Sequence, residues 1–154
     1  MKVEFVNPFI QAASDVLDSE LGGEPERGQI RVARSSVTTD EVTTLVGVTG
    51  GVTGLVMISM SQATAMGLVS KMMGTPCVEF DALAQSGIGE LGNVITGRAG
   101  VLLSEAGYAS NITPPALVMG KGTMISTLDL NRLIFPLRTE VGQLEIQVVL
   151  KAAA

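Results

Sequence analysis

Between Asp81 and Leu102 the chain carries a run that reads as one long helix and as little else. Apolar residues recur at Ala84, Ile88, Leu91, Ile95, Ala99 and Leu102, the spacing of a single face on a helix of about 3.6 residues per turn. No proline breaks the run, and a helix is expected from Glu79 or Asp81 to Glu105, ending near Gly107. A long helix with one apolar stripe must be laid on something, and its flanks in the sequence are rich in strand patterns. That combination restricts the chain to helices packed on a sheet.

The strand patterns lie on both sides. Residues 29–35, 43–49 and 52–59 alternate apolar and polar positions, with Gly50-Gly51 as a two-residue turn between the last two. The glycines at 47, 50, 51 and 54 are not followed by Gly-Lys-Ser/Thr, so a hairpin rather than a phosphate-cradling loop is expected. After the long helix come strands at 112–119, 132–140 and 144–151, with one more short strand near 124–128. Pro114-Pro115 suits a strand start or edge, because proline donates no ladder bond. Two further helices are expected. One spans 7–21, with Asn7 as N-cap and Pro8 at the first helical position. The other is capped by Ser61 and runs to Met73, stopped by Gly74-Thr75-Pro76. Ala152-Ala153-Ala154 is expected to fray. The order is α-β-β-β-α-α-β-β-β: an α+β domain over 1–154, with a mostly antiparallel six-stranded sheet covered by helices.

Composition narrows the chemistry. Histidine is absent and Cys77 is the one cysteine. An internal disulfide, a zinc cluster, a Ser-His-Asp triad and phosphohistidine transfer are thereby excluded. Cys77, with no histidine to activate it, reads as a structural or loop residue. The net charge of −5, the lack of any Lys/Arg cluster and the absence of tryptophan disfavour nucleic acid. No apolar run of about 18 residues offers a membrane helix. The first residues lack the apolar stretch and cleavage site of a signal peptide. The expectation is a cytoplasmic protein whose partner is another folded protein.

The other face of the long helix is polar and sparse. Ser86, Glu90, Asn93 and Gly97, spaced by four, three and four, form one row away from the apolar stripe. Gly87, Gly89, Gly92, Gly97 and Gly100 interrupt the same helix, each costing up to about 1 kcal/mol relative to alanine. Missing side chains beside Glu90 and Asn93 lower the surface and suit the close approach of another backbone; some of these glycines can equally serve close packing on the sheet. Ser86 can support the pair through a local hydrogen bond. A carboxylate and an amide one turn apart are, by themselves, common on a solvated helix.

Their company gives them meaning. Ser86-x-x-x-Glu90-x-x-Asn93, with Pro114-Pro115 downstream, resembles the signature of the CheC/CheX/FliY family of chemotaxis phosphatases. Gly47-Val48-Thr49-Gly50-Gly51, Met72-Met73-Gly74, Ile88-Gly89-Glu90-Leu91-Gly92-Asn93 and Ile112-Thr113-Pro114-Pro115 resemble segments of the CheX type, in the same order. The likeness covers nearly the whole chain, Asn7 included.

The resemblance implies hydrolysis of the aspartyl phosphate of a response regulator, phospho-CheY in chemotaxis. It implies that Glu90 pairs with the regulator's active-site lysine and that Asn93 holds a water in line with the phosphorus. It implies that Mg²⁺ is supplied by the regulator and that the chain is a homodimer, joined by strand pairing at a sheet edge. Ser86, Gly89 and Gly97 are the expected partner-binding positions. The physics agrees, since an amide both donates and accepts hydrogen bonds and can orient a water without acting as a base. The alternative is a non-catalytic module of the same fold that binds a response regulator or a flagellar switch component. Glu4-Phe5-Val6-Asn7 repeats the bare Glu-x-x-Asn pattern, which CheC carries twice. With Pro8 marking Asn7 as a cap, those two residues are not expected to share a helical face.

Overall fold

In the computed structural model of the chain, the residues described are 3–33, 36–128 and 130–153. The first helix, α1 (Val3–Leu21), starts before Asn7 and takes in Glu4, so Asn7 is an exposed residue within the helix and not its cap. Pro8 is tolerated because it removes only one backbone bond close to the helix start. Phe5 and Val6 are both buried, and they extend the apolar stripe of Phe9, Ala13, Val16 and Leu17 upstream by a turn. Packing therefore overrode the proline's local preference.

The second helix keeps its expected cap, and the third starts at the later of its two expected positions, capped by Asp81. In α2 (Gln62–Met73), Ser61 Oγ accepts from the Thr64 N–H at 3.1 Å. The helix ends at Gly74 with φ 71°, a left-handed conformation that glycine adopts without a Cβ penalty. In α3 (Ala82–Glu105), Asp81 Oδ1 accepts from the Ala84 N–H at 2.9 Å.

The strands are β1 (Glu26–Arg27), β2 (Arg31–Ala33), β3 (Ser36–Thr38), β4 (Val42–Gly50), β5 (Val52–Met60), β6 (Ser110–Ile112), β7 (Ala116–Met119), β8 (Met124–Ser126), β9 (Arg132–Thr139) and β10 (Gly142–Ala152). Eight of them form one sheet in the order β1-β9-β10-β5-β4-β6, with β2 also on β9 and β7 also on β4; β3 and β8 pair as a separate ribbon. Every one of these pairings is antiparallel. The α+β class is as expected, and the sheet has eight strands where six were expected. The segment 112–119 divides into β6 and β7 because Pro114 and Pro115 offer no N–H to the ladder, and both pieces lie along β4. The segment 29–35 shortens to β2, with 34 and 35 outside the described residues. It is preceded by the two-residue β1, and Gly28 between them sits where a Cβ would collide with the Pro136 ring.

The Gly50-Gly51 connection is not a tight two-residue hairpin. Pairing of β4 with β5 stops at Val48 opposite Gly54. Beyond it Gly50 pairs with Ser110 of β6, while Val52 pairs with Ala152 of β10. The strands part at Gly54, whose φ of 151° and contact with the Val149 carbonyl leave no room for a side chain. The tail is held as well: Ala152 is in the ladder and the Ala153 N–H donates to the Gly51 carbonyl at 3.2 Å, while 154 lies outside the described residues.

All three helices lie on one face of the sheet. Val56, Ile58, Phe135, Leu137, Ile146 and Val148 meet Phe9 and Leu17 of α1, Leu68 of α2 and Ile88, Leu91, Ile95 and Leu103 of α3 in one buried cluster. On the opposite face the Arg132 side chain is fully buried. Its Nη1 donates to Gln147 Oε1 at 2.8 Å and its Nη2 to the Ile125 carbonyl at 2.6 Å, tying the β3–β8 ribbon to the sheet. No helix among the described residues is long and apolar enough to cross a membrane.

Candidate active site

The register of α3 against the sheet settles what it shows to solvent. Ala84, Ile88, Leu91, Ile95, Ala99 and Leu103 are buried, so the row on the opposite side of the helix, Ser86, Glu90, Asn93 and Gly97, is exposed. About 4.5 Å of helix rise separates Glu90 from Asn93, so both can reach one partner site. Arg98 holds the helix to α1 through an ion pair with Asp15 at 3.0 Å.

The five glycines divide by role. Gly92 faces β4, where a Cβ would lie 3.1 Å from Thr44 Oγ1; Gly100 faces Ile112 at 3.0 Å and Gly87 faces Val69 at 3.5 Å. These three let the helix sit close to its neighbours. Gly97 has open space around it, and Gly89 has only the Pro115 ring, 4.0 Å from a Cβ. The lowered surface thus belongs to Gly89 and Gly97, which flank the Glu90–Asn93 pair.

Across from the helix, Pro115 and Leu117 form the second wall of an open depression of about 530 Å³, whose remaining lining is Ala82, Gln85, Ser86, Gly89, Glu90 and Asn93. The wall is fixed by Thr113, whose Oγ1 accepts from the Gly47 N–H at 2.8 Å and whose own N–H donates to the Gly47 carbonyl at 2.9 Å. Two motif segments that lie far apart in sequence therefore meet beside α3. Leu117 and Gln85 were not singled out from the sequence; only the register of β7 on β4, with Ala116 opposite Leu45, brings Leu117 here.

Among the described residues, the side chains of Ser86, Glu90 and Asn93 make no hydrogen bond within the chain, so the expected support of the pair by Ser86 is not seen. Glu90 is the one acidic residue of the depression. No group of three or more His, Cys, Asp or Glu that could hold a metal ion occurs among the described residues. The site presents one anion, Glu90, and one unengaged amide, Asn93, to an incoming molecule; the second amide of the lining, Gln85, donates to the Phe80 carbonyl at 3.2 Å.

Glu4 and Asn7 need correction. Both are exposed and both lie on α1, one turn apart, so they do share a helix. They differ from the α3 pair in that the Tyr108 hydroxyl donates to Glu4 Oε2 at 3.3 Å.

The family model described as chemotaxis phosphatase CheX matches residues 42–138, a span that holds all of α3 and the Pro115 wall. The CheY-P phosphatase CheX of Thermotoga maritima is 34% identical over 128 residues, 82% of this chain and 83% of that one. This chain belongs to the CheX family. Solved CheX-type structures share its fold. A CheC-like superfamily protein from Shewanella sp. PV-4 matches at TM-score 0.87 and 27% identity, covering 99% of this chain and 100% of that one. CheX in a CheX–CheY–BeF₃–Mg²⁺ complex from Borrelia burgdorferi matches at TM-score 0.82 and 29% identity, covering 97% and 99%.

Proposed function

We propose that this CheX-family chain hydrolyses the aspartyl phosphate of a CheY-type response regulator. The observation that carries the reading is the pair Glu90 and Asn93, both exposed and unengaged, rising between the bare backbone of Gly89 and Gly97. Glu90 docks on the regulator's active-site lysine and sets the register. Asn93 enters the regulator's site and holds a water in line with the phosphorus. The water oxygen bonds to phosphorus as the bond to the aspartate oxygen breaks; aspartate leaves as a carboxylate, and the water's protons go to the phosphate product and solvent. Positioning a nucleophile is worth several kcal/mol in principle, about 7–11 at most. No general base is required of this chain, because the acyl phosphate is already reactive.

Mg²⁺ belongs to the regulator in this reading and neutralises charge on the phosphoryl oxygens. Ser86, Gly89 and Gly97 form the contact surface around the pair. Residues 1–154 act as one cytoplasmic unit and assemble as a homodimer. Exposed Val32 and Leu130, which line an open depression beside β2, support an interface at that edge.

Purified protein mixed with phospho-CheY and Mg²⁺ is the test, with inorganic phosphate followed over time. Release well above the regulator's own autodephosphorylation is expected. Binding of phospho-CheY with no acceleration would instead mark a docking module.

A further inference from the structure

Thr96 lies one turn beyond Asn93 on the buried side of α3, and it is 1% exposed. Its hydroxyl donates to the Gly92 carbonyl at 2.8 Å and is 3.2 Å from the Asn93 carbonyl. Those carbonyls belong to the two peptide groups that flank the Asn93 Cα. One buried hydroxyl therefore grips the backbone on both sides of the residue whose amide has to aim a water.

A second contact bears on the same point from below. Thr44 of β4 is 1% exposed, its hydroxyl has no hydrogen-bond partner among the described residues, and it stands 3.1 Å from where a Gly92 Cβ would be. The sheet thus meets the helix directly beside Asn93. Glycine at 92 lets the helix come this close and also loosens it locally. A threonine that bonds back to the preceding turn bends and ties that turn. Valine would fill the same buried space with no hydroxyl to satisfy, so stability alone does not call for threonine here.

We propose that Thr96 is a positioning residue for the reaction. Through the Gly92 and Asn93 carbonyls it sets the direction in which the Asn93 side chain leaves the helix, and Thr44 against Gly92 sets its height. The inference rests on the reading of Asn93 given above.

The test compares kcat and KM for phospho-CheY in wild type, Thr96→Val, Thr96→Ser, Asn93→Ala and the double variant Thr96→Val/Asn93→Ala, with a thermal midpoint for each. Both carbonyls keep their helical bonds in Thr96→Val, so its midpoint is expected to hold or rise. Its kcat is expected to fall about 10-fold, since misplacement by a fraction of an ångström is costly. KM should stay unchanged because Glu90 still docks. Thr96→Ser should return kcat close to wild type, and the double variant should be no slower than Asn93→Ala. Wild-type kcat in Thr96→Val, beside an inactive Asn93→Ala, overturns the positioning role and leaves the Asn93 reading intact. Equal losses in Thr96→Val and Thr96→Ser that track their midpoints, or additive losses in the double variant, also overturn it. Full activity in Asn93→Ala removes both proposals together.

Discussion

An exposed carboxylate with no partner of its own, as Glu90 is, meets the lysine of another protein through water and salt, and its attraction is screened accordingly. Affinity for BeF₃⁻-activated CheY is therefore expected to fall as ionic strength rises from about 0.05 to 0.5 M. Glu90→Gln should lose roughly 10-fold at low salt and show a flatter salt dependence. Titration calorimetry across that range reads both; equal affinity and equal slope in the variant would remove Glu90 from the docking contact. Glu4 differs from Glu90 in that the Tyr108 hydroxyl donates to its carboxylate. Cys77 is structural in its contacts too: its Sγ donates to the Glu79 carbonyl at 3.2 Å in the connection between α2 and α3.

At the scale of the helix, the glycines of α3 make separable predictions. Gly92→Ala gains up to about 1 kcal/mol of helix propensity but drives a Cβ against Thr44, where overpacking costs about 1–3 kcal/mol. A net loss of about 1 kcal/mol is expected. Gly97→Ala meets open space, so it should stabilise by about 0.5–1 kcal/mol while slowing dephosphorylation, because its methyl would stand in the proposed contact surface. Denaturant titrations and phosphate release test the two halves; a Gly97→Ala variant of full activity would show that the bare surface is not used. Helix α3 was legible in the sequence because one unbroken period fixes both its buried and its exposed rows. The start of α1 was not, because Pro8 follows Asn7 in the manner of a cap, and the burial of Phe5 and Val6 decides the matter only once the sheet is in place.

Across the whole molecule, pattern gave the α+β class and left the number of strands open. Pieces as short as Glu26–Arg27 or Ser110–Ile112 exist only because β9 and β4 are there to pair with them. Of the β3–β8 ribbon, the short strand near 124–128 was expected and is β8, whereas β3 and its pairing were not. The ribbon is secured by a buried arginine, a residue type that sequence reasoning places at the surface. The candidate pair Glu90 and Asn93 could be read because both members sit on one helix, whereas the Pro115–Leu117 wall depends on strand register and could not. The proposed reaction converges on the amide of Asn93 as the group that aims the water. Dephosphorylation of phospho-CheY by Asn93→Ala at saturating protein, read in rapid mixing, isolates that step from docking. A rate about 100-fold below wild type is expected, with affinity for the BeF₃⁻-activated regulator largely kept. A wild-type rate from the variant would contradict it.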